Sequence, residues 1–170
     1  MGVFFEFDRV ESFTVGTIGR PGQRVFLLQV RAGDERVTVK CEKQQAVAIA
    51  QYLRKVLSDL PPPSERPMQA AMELVGDVQP SFALGPIGLG YDQQNDRMLV
   101  QLEELVPTND EGDVDAEAAA DRGHVRLYLS RGQAVAFCEH ADQLAAAGRP
   151  PCVWCGGPVD PDGHPCPRMN

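Results

Sequence analysis

Three short segments of this chain recur in the same order further along it, and a duplicated unit restricts the fold more than any single residue does. Phe13-Thr-Val-Gly16-Thr-Ile18-Gly19 recurs as Phe82-Ala-Leu-Gly85-Pro-Ile87-Gly88, and Leu27-Leu-Gln29-Val30 as Leu99-Val-Gln101-Leu102. Val37-Thr-Val39-Lys40, leading to Gln45-Ala-Val-Ala48, recurs as Val125-Arg-Leu127-Tyr128, leading to Gln133-Ala-Val-Ala136. The offset steps from 69 to 72 to 88, so the second copy has gained three and then sixteen residues, each time in a polar segment of the kind that tolerates insertion. One unit that folds twice must have a surface on which its own copy can pack.

Within each copy, short runs rich in Val, Phe, Thr and Leu are separated by turn chemistry such as Arg20-Pro-Gly22 and Ala32-Gly33-Asp34, which reads as a strand meander. Val37, Val39 and Cys41 alternate with Thr38 and Lys40, and Val125, Leu127 and Leu129 alternate with Arg126 and Tyr128; this predicts sheets with one buried and one wet face. The period then changes. Ala46, Ile49, Ala50, Leu53, Val56 and Leu57 fall at helical spacing, as do Ala134, Phe137, Cys138, Ala141, Leu144 and Ala145. The first helix is expected from about 42–44 to before Pro61, and the second from Ser130, a suitable N-cap, to Gly148 before Pro150. Phe4 to Asp8 adds a strand.

The expected architecture is α+β: two tandem antiparallel-sheet-plus-helix repeats with pseudo-twofold symmetry and a C-terminal zinc knuckle. Its parts are a first repeat over 1–60, a Pro-rich connector with a short helix over 61–81, a second repeat over 82–148 and a tail over 149–170. Within the second repeat, 108–122 reads as a mobile acidic loop, since six carboxylates lie between Asp110 and Asp121. No Asp-led register there has glycine at its sixth position, so it is not an EF-hand loop.

The tail carries the clearest chemistry. Cys152-Val-Trp-Cys155 and, after a Gly/Pro/Asp segment, His164-Pro-Cys166 offer three thiolates and one imidazole. Gly156-Gly157 and Asp162-Gly163 allow the chain to wrap an ion. Four soft or borderline ligands with no open position suit a closed tetrahedral Zn²⁺ centre, which stabilises a fold and performs no reaction by itself. Cys138 or His140 could replace one ligand, but both fall on or beside the buried helical stripe, where core packing explains them better, as it does Cys41. His124 has no evident partner at its strand end.

The formal charge is −8, and it is uneven: residues 1–60 hold nine Lys/Arg against seven Asp/Glu, and residues 61–170 seven against seventeen. This disfavours general binding to a phosphate backbone. No apolar run spans a bilayer, the N-terminus is acidic, and five cysteines without an export signal fit a reducing cytoplasm. Gly16-Thr-Ile-Gly19 and Gly85-Pro-Ile-Gly88 follow strand-like residues, so they read as bends and not as a nucleic-acid GxxG loop. P-loop, dinucleotide, nucleophile-elbow and HExxH motifs are all missing, which gives no basis for naming a reaction.

Met1-Gly-Val-Phe-Phe-Glu-Phe-Asp8, Phe13 to Gly19, Phe82 to Gly90, Gln133 to Cys138 and the tail from Cys152 to Asn170 together resemble an actinobacterial family of unknown function, domain-of-unknown-function family 3090. The resemblance implies a cytoplasmic protein that travels with a histidine-phosphatase-like protein and one similar to phosphatidylinositol kinases. It brings no activity, and its terminal motif falls on Cys152, Cys155, His164 and Cys166. In layout alone the chain is similar to PUR repeats, which bind single-stranded nucleic acid on curved sheets. Three expectations follow. The first is a non-catalytic, zinc-stabilised interaction protein with a protein partner, one of those neighbours being the candidate. The second is a single-stranded nucleic-acid module using Arg31, Arg36, Lys40 and Arg126, with the acidic loop as an internal phosphate mimic. The third is an enzyme or accessory subunit acting on a phosphorylated small molecule held by Arg20, Arg24 and Arg36.

Overall fold

A computed structural model of the chain describes residues 2–20, 22–147, 151–157, 159 and 163–168. The expected helix end at Gly148, Pro150 beyond it and the turn at Asp162 lie outside them. The elements in chain order are β1 (Phe4–Phe7), β2 (Ser12–Ile18), β3 (Val25–Ala32), β4 (Glu35–Cys41), α1 (Lys43–Ser58), a 3-10 turn (Gln69–Met72), β5 (Phe82–Asp92), β6 (Arg97–Glu104), α2 (Ala116–Ala120), β7 (His124–Leu129) and α3 (Arg131–Ala146). The seven strands form one sheet in the order β1-β7-β6-β5-β4-β3-β2. Neighbours are antiparallel except at two joints: β4 with β5, and β7 with β1.

The alternating apolar residues of β3, β4, β6 and β7 point inward, and Leu28, Val30, Val37, Val39, Met98, Val100, Leu102, Val125, Leu127 and Leu129 are all buried. Helices α1 and α3 close this face with Ile49, Leu53, Ala134 and Phe137. Burying each Leu, Ile or Phe contributes about 1.5–3 kcal/mol over leaving it exposed. Phe137 stacks on Phe13 of β2 with ring centroids 4.6 Å apart, so the second helix seals the first meander. Both helices begin with a capping box, Glu42 with Gln45 and Ser130 with Gln133. Each capping glutamine then reaches across the molecule: Gln45 donates to the carbonyls of Leu84 and Gly85, and Gln133 to that of Val10. Where the helices meet, Cys138 Sγ donates to the carbonyl of Ala50 at 3.3 Å and Arg54 pairs with Asp142 at 2.6 Å.

The strand registers correct the sequence alignment of the halves. β3–β4 and β6–β7 agree with it, since Val30 faces Val37 as Leu102 faces Val125, and Leu28 faces Val39 as Val100 faces Leu127. The first strands do not. Phe82, aligned by sequence with Phe13, faces Val39 just as Phe7 faces Leu127. Gly90, not Gly85, faces Leu99 as Gly16 faces Leu27. Thus β1 and β2 together take the place that β5 fills alone, β5 bending at a register shift between Leu84 and Ile87.

Two further expectations are corrected. The outer face of β2-β3-β4 is covered, not wet: Ser12, Thr14, Gln29 and Thr38 are all buried. The chain after the 3-10 turn crosses it as a strap. Thr14 Oγ1 donates to the Met72 carbonyl at 2.6 Å, and the Gln29 amide donates to the Val75 carbonyl at 3.0 Å and accepts from its N–H at 2.9 Å. Gly16 makes room for Leu74, since a Cβ there would lie 2.3 Å from Leu74 Cγ. The segment 108–122, expected as a mobile loop, holds α2, capped by the Asp115 side chain, and a bridge between Thr108 and Val114. Asn109 Oδ1 accepts from the N–H groups of Glu111 and Asp113, which the high charge of the segment concealed.

Candidate metal centre

Beyond α3, Cys152 and Cys155 lie against His164 and Cys166. The main-chain N–H of Gly156 donates to the Cys152 carbonyl at 2.9 Å, and that of Cys152 to the Gly157 carbonyl at 2.7 Å, closing a tight knuckle. Gly156 adopts φ 74°, a left-handed turn open to glycine at little cost. The turn aims two N–H groups at sulfur: Trp154 N–H donates to Cys152 Sγ and Gly157 N–H to Cys155 Sγ, both at 3.4 Å. Main-chain donors from Cys155 and Trp154 hold the Cys152 thiol below the ordinary cysteine value, favouring the thiolate that a metal needs.

The ligand atoms of Cys152, Cys155, His164 and Cys166 all lie within 4.8 Å of one another. Sγ of Cys152 and Cys166 are 3.9 Å apart, and Cys155 Sγ is 3.5 Å from His164 Nε2. A tetrahedral ion with bonds of about 2.3 Å to sulfur and 2.0–2.1 Å to nitrogen sets edges of roughly 3.8 and 3.5 Å, so the donor set fits such an ion. Cys152 and Cys166 are buried, and Cys155 and His164 half-buried. The four residues expected from the sequence are therefore the ones brought together. Between the first two, Val153 and Trp154 stand 90% and 61% exposed at the knuckle's tip, a feature that ligand spacing alone does not signal.

The other candidates lie elsewhere. Cys41 and Cys138 sit in the core, where burial pushes their thiols up to about 12 and about 11, so neither is a nucleophile at neutral pH. His140 is half-buried on α3, outside the metal cluster; burial lowers its pKa, and its Nδ1 is enclosed without a hydrogen-bond partner. His124 stacks on Phe4 at 5.4 Å. Arg24 donates to the carbonyl of Ala147, and Arg36 lies against Gly76 of the strap, so these two arginines are engaged separately and frame no common cleft. Among the described residues no helix is long and apolar enough to cross a membrane.

No curated protein and no solved structure matches the chain. One family model does, over residues 5–166, from the first strand to the last ligand of the metal cluster. The chain therefore belongs to the family described as protein of unknown function (DUF3090).

Proposed function

We propose that this is a non-catalytic interaction protein of the cytoplasm, with a pseudo-twofold body made from two copies of one unit and a tail held by structural zinc. The observation that carries the reading is the closed ligand set of Cys152, Cys155, His164 and Cys166 with exposed Val153 and Trp154 between its first two members. Thiolate and imidazole ligands at tetrahedral spacing favour Zn²⁺ over hard cations. A closed site leaves no position for a substrate. A rigid knuckle with an aliphatic and an indole side chain at its tip is suited to contact with another protein, because aromatic anchors held in place lose little entropy on binding.

The twofold relation is supported by reciprocity. Ala50 and Cys138, equivalent by sequence, touch each other, as do Arg54 and Asp142. The parallel joint of β4 to β5 is answered by that of β7 to β1.

The nucleic-acid reading loses support from the strap, which lies over the face bearing Arg31 and Arg36; Arg31 is spent on Ser12 Oγ at 2.9 Å. The phosphorylated-substrate reading loses support from the separate engagement of Arg24 and Arg36. Affinity purification from the native host tests the proposal, comparing the wild type with Trp154→Ala and Cys155→Ser. We expect a specific partner, the phosphatase-like or kinase-like neighbour being the first candidate, that both variants lose or bind weakly. Turnover of a small molecule by the purified protein, with no specific partner, would overturn it.

A further inference from the structure

The two halves of the sheet present matching outer faces, but only one is covered. On the first, the strap sits on Gly16, Leu27, Gln29 and Thr38. The positions in matching register on the second are Gly90 opposite Leu99, Gly88 opposite Gln101, and Gln101 opposite Arg126. Leu27 and Gln29 are buried, whereas Leu99 and Gln101 are each partly open. Gln29 spends its amide on the main chain of Val75 and on Thr38. Gln101 makes no hydrogen bond with its side chain among the described residues.

Gly90 has no reason within the chain to be glycine. It is in extended backbone within β5, and a Cβ there would meet nothing closer than Leu99 at 3.9 Å, an ordinary contact. A strand glycine marks a bulge, a tight bend or a site where a ligand or another backbone approaches closely, and the register shift of β5 lies between Leu84 and Ile87, away from Gly90. Its counterpart Gly16 shows that use, because Leu74 fills the space a Cβ would take. Arg126 adds charge to the same surface. It lies over the Tyr128 ring at 5.7 Å and donates from Nη2 to Tyr128 Oη at 3.1 Å, while its enclosed Nε has no partner. Among the described residues no carboxylate forms an ion pair with it: Glu6 stands opposite it in register on β1 without pairing, and Glu103, opposite His124, is taken by Arg122 at 2.8 Å.

We propose that the outer face of β5-β6-β7, formed by Gly88, Gly90, Leu99, Gln101, Arg126 and Tyr128, binds an extended segment of a partner protein in which an aliphatic residue is followed within two positions by an acidic one. The segment lies across the strands as residues 72–76 lie on the first half. Its aliphatic side chain sits over Gly90 and Leu99, its main chain exchanges hydrogen bonds with the Gln101 amide, and its carboxylate reaches Arg126. The strap runs in that order, with Leu74 at Gly16, Val75 at Gln29 and Gly76 at the guanidinium of Arg36, whose register counterpart is His124, two residues before Arg126 on the last strand. This assignment rests on the interaction reading above and gives it a surface distinct from the knuckle.

The probe is a fluorescent peptide with the sequence of residues 70–78 carrying Gly76→Asp, titrated into the full-length zinc-loaded protein by anisotropy. Saturable binding is expected, weakened at least about tenfold, or 1.4 kcal/mol, by Arg126→Glu and by Gly90→Val, neither of which should lower the melting temperature appreciably. A second peptide carrying Gly76→Lys should bind Arg126→Glu better than wild type. Absence of saturable binding to the wild type, equal binding by both variants, or a single-stranded oligonucleotide binding this face while the peptide does not, would each overturn the assignment. If affinity purification yields a partner that Arg126→Glu protein retains fully, this surface is refuted and the interaction reading stands.

Discussion

The body and the tail of this protein are held together by opposite means. In the body, strands and helices bury a continuous apolar interior, and its polar groups are satisfied by neighbours far away in sequence, as Gln29 is by Val75. In the tail, Val153 and Trp154 face outward, and order comes from three sulfurs, one imidazole and the N–H groups aimed at them. A core grows with chain length, whereas twenty residues cannot build one, so a short appendage needs an ion.

The sharpest way to break this contrast is to deny the Cys/His cluster any metal. Structural zinc contributes on the order of 10 kcal/mol to isolated peptides, so chelation or Cys155→Ser should unfold residues 151–168 and leave the sheet intact. Amide exchange read residue by residue checks this; loss of protection in β6 and β7 together with the tail would mean the two are one cooperative unit. Next in size is Phe137→Ala, which empties the stack against Phe13 and should cost the body about 3–5 kcal/mol while leaving metal binding by the Cys/His cluster unchanged. Denaturant melts with parallel metal analysis separate the two outcomes.

A smaller effect contrasts the two outer faces. Gln29→Ala removes a buried amide that bonds the Val75 main chain twice and Thr38 once and should cost about 1–3 kcal/mol, whereas Gln101→Ala should cost under about 0.5 kcal/mol. Equal costs would mean the second face is already satisfied within the chain.

The pH response is smallest near neutrality. Cys41 and Cys138 have folded values raised to about 12 and about 11 from 9.0, so the unfolded chain ionises first. Their contribution is complete below pH 9 and is lost as pH rises toward 11–12. His140 has the opposite sign. Burial lowers its value below 6.5, the unfolded chain binds the proton more readily, and its contribution is complete above pH 6.5 and declines below it. Chemical melts from pH 5 to 10.5 on protein lacking the tail's thiols should show stability falling at both ends. In the same range a thiol reagent should titrate three cysteines of chelated native protein, those of the tail, and reach the other two only on unfolding.

Much of this was legible in the residues. Helical spacing marked α1 and α3, Ser130 announced its cap, alternation marked β4 and β7, and the four Cys and His residues that cluster in the tail could be read from their spacing. What escaped has a common cause. Thr14, Gln29 and Thr38 look like solvent-facing positions because sequence gives polarity but not what lies above it; the strap reaches Gln29 from 46 residues away and Thr14 from 58. The Phe-x-x-Gly-x-Ile-Gly strings matched as text and misled, because register is fixed by cross-strand partners such as Leu27 and Leu99 and not by a local string. In 108–122 the high charge hid Asp115 and Asn109, whose side chains fold the segment locally.

The joint of β1 to β7 bears on how the protein is made. Among the described residues β1 finds its strand neighbour in residues 124–127, and Phe13 waits for Phe137. A nascent chain must therefore hold β1 unpaired and the β2-β3-β4 meander sealed only by α1 and the strap until residues 124–137 have been synthesised. Closing such long loops is slow, and aggregation-prone strands are exposed meanwhile. Translation pauses or a chaperone should thus matter more for yield than point changes on the surface, and a fragment ending before residue 124 should be insoluble however well its own hydrophobic pattern reads.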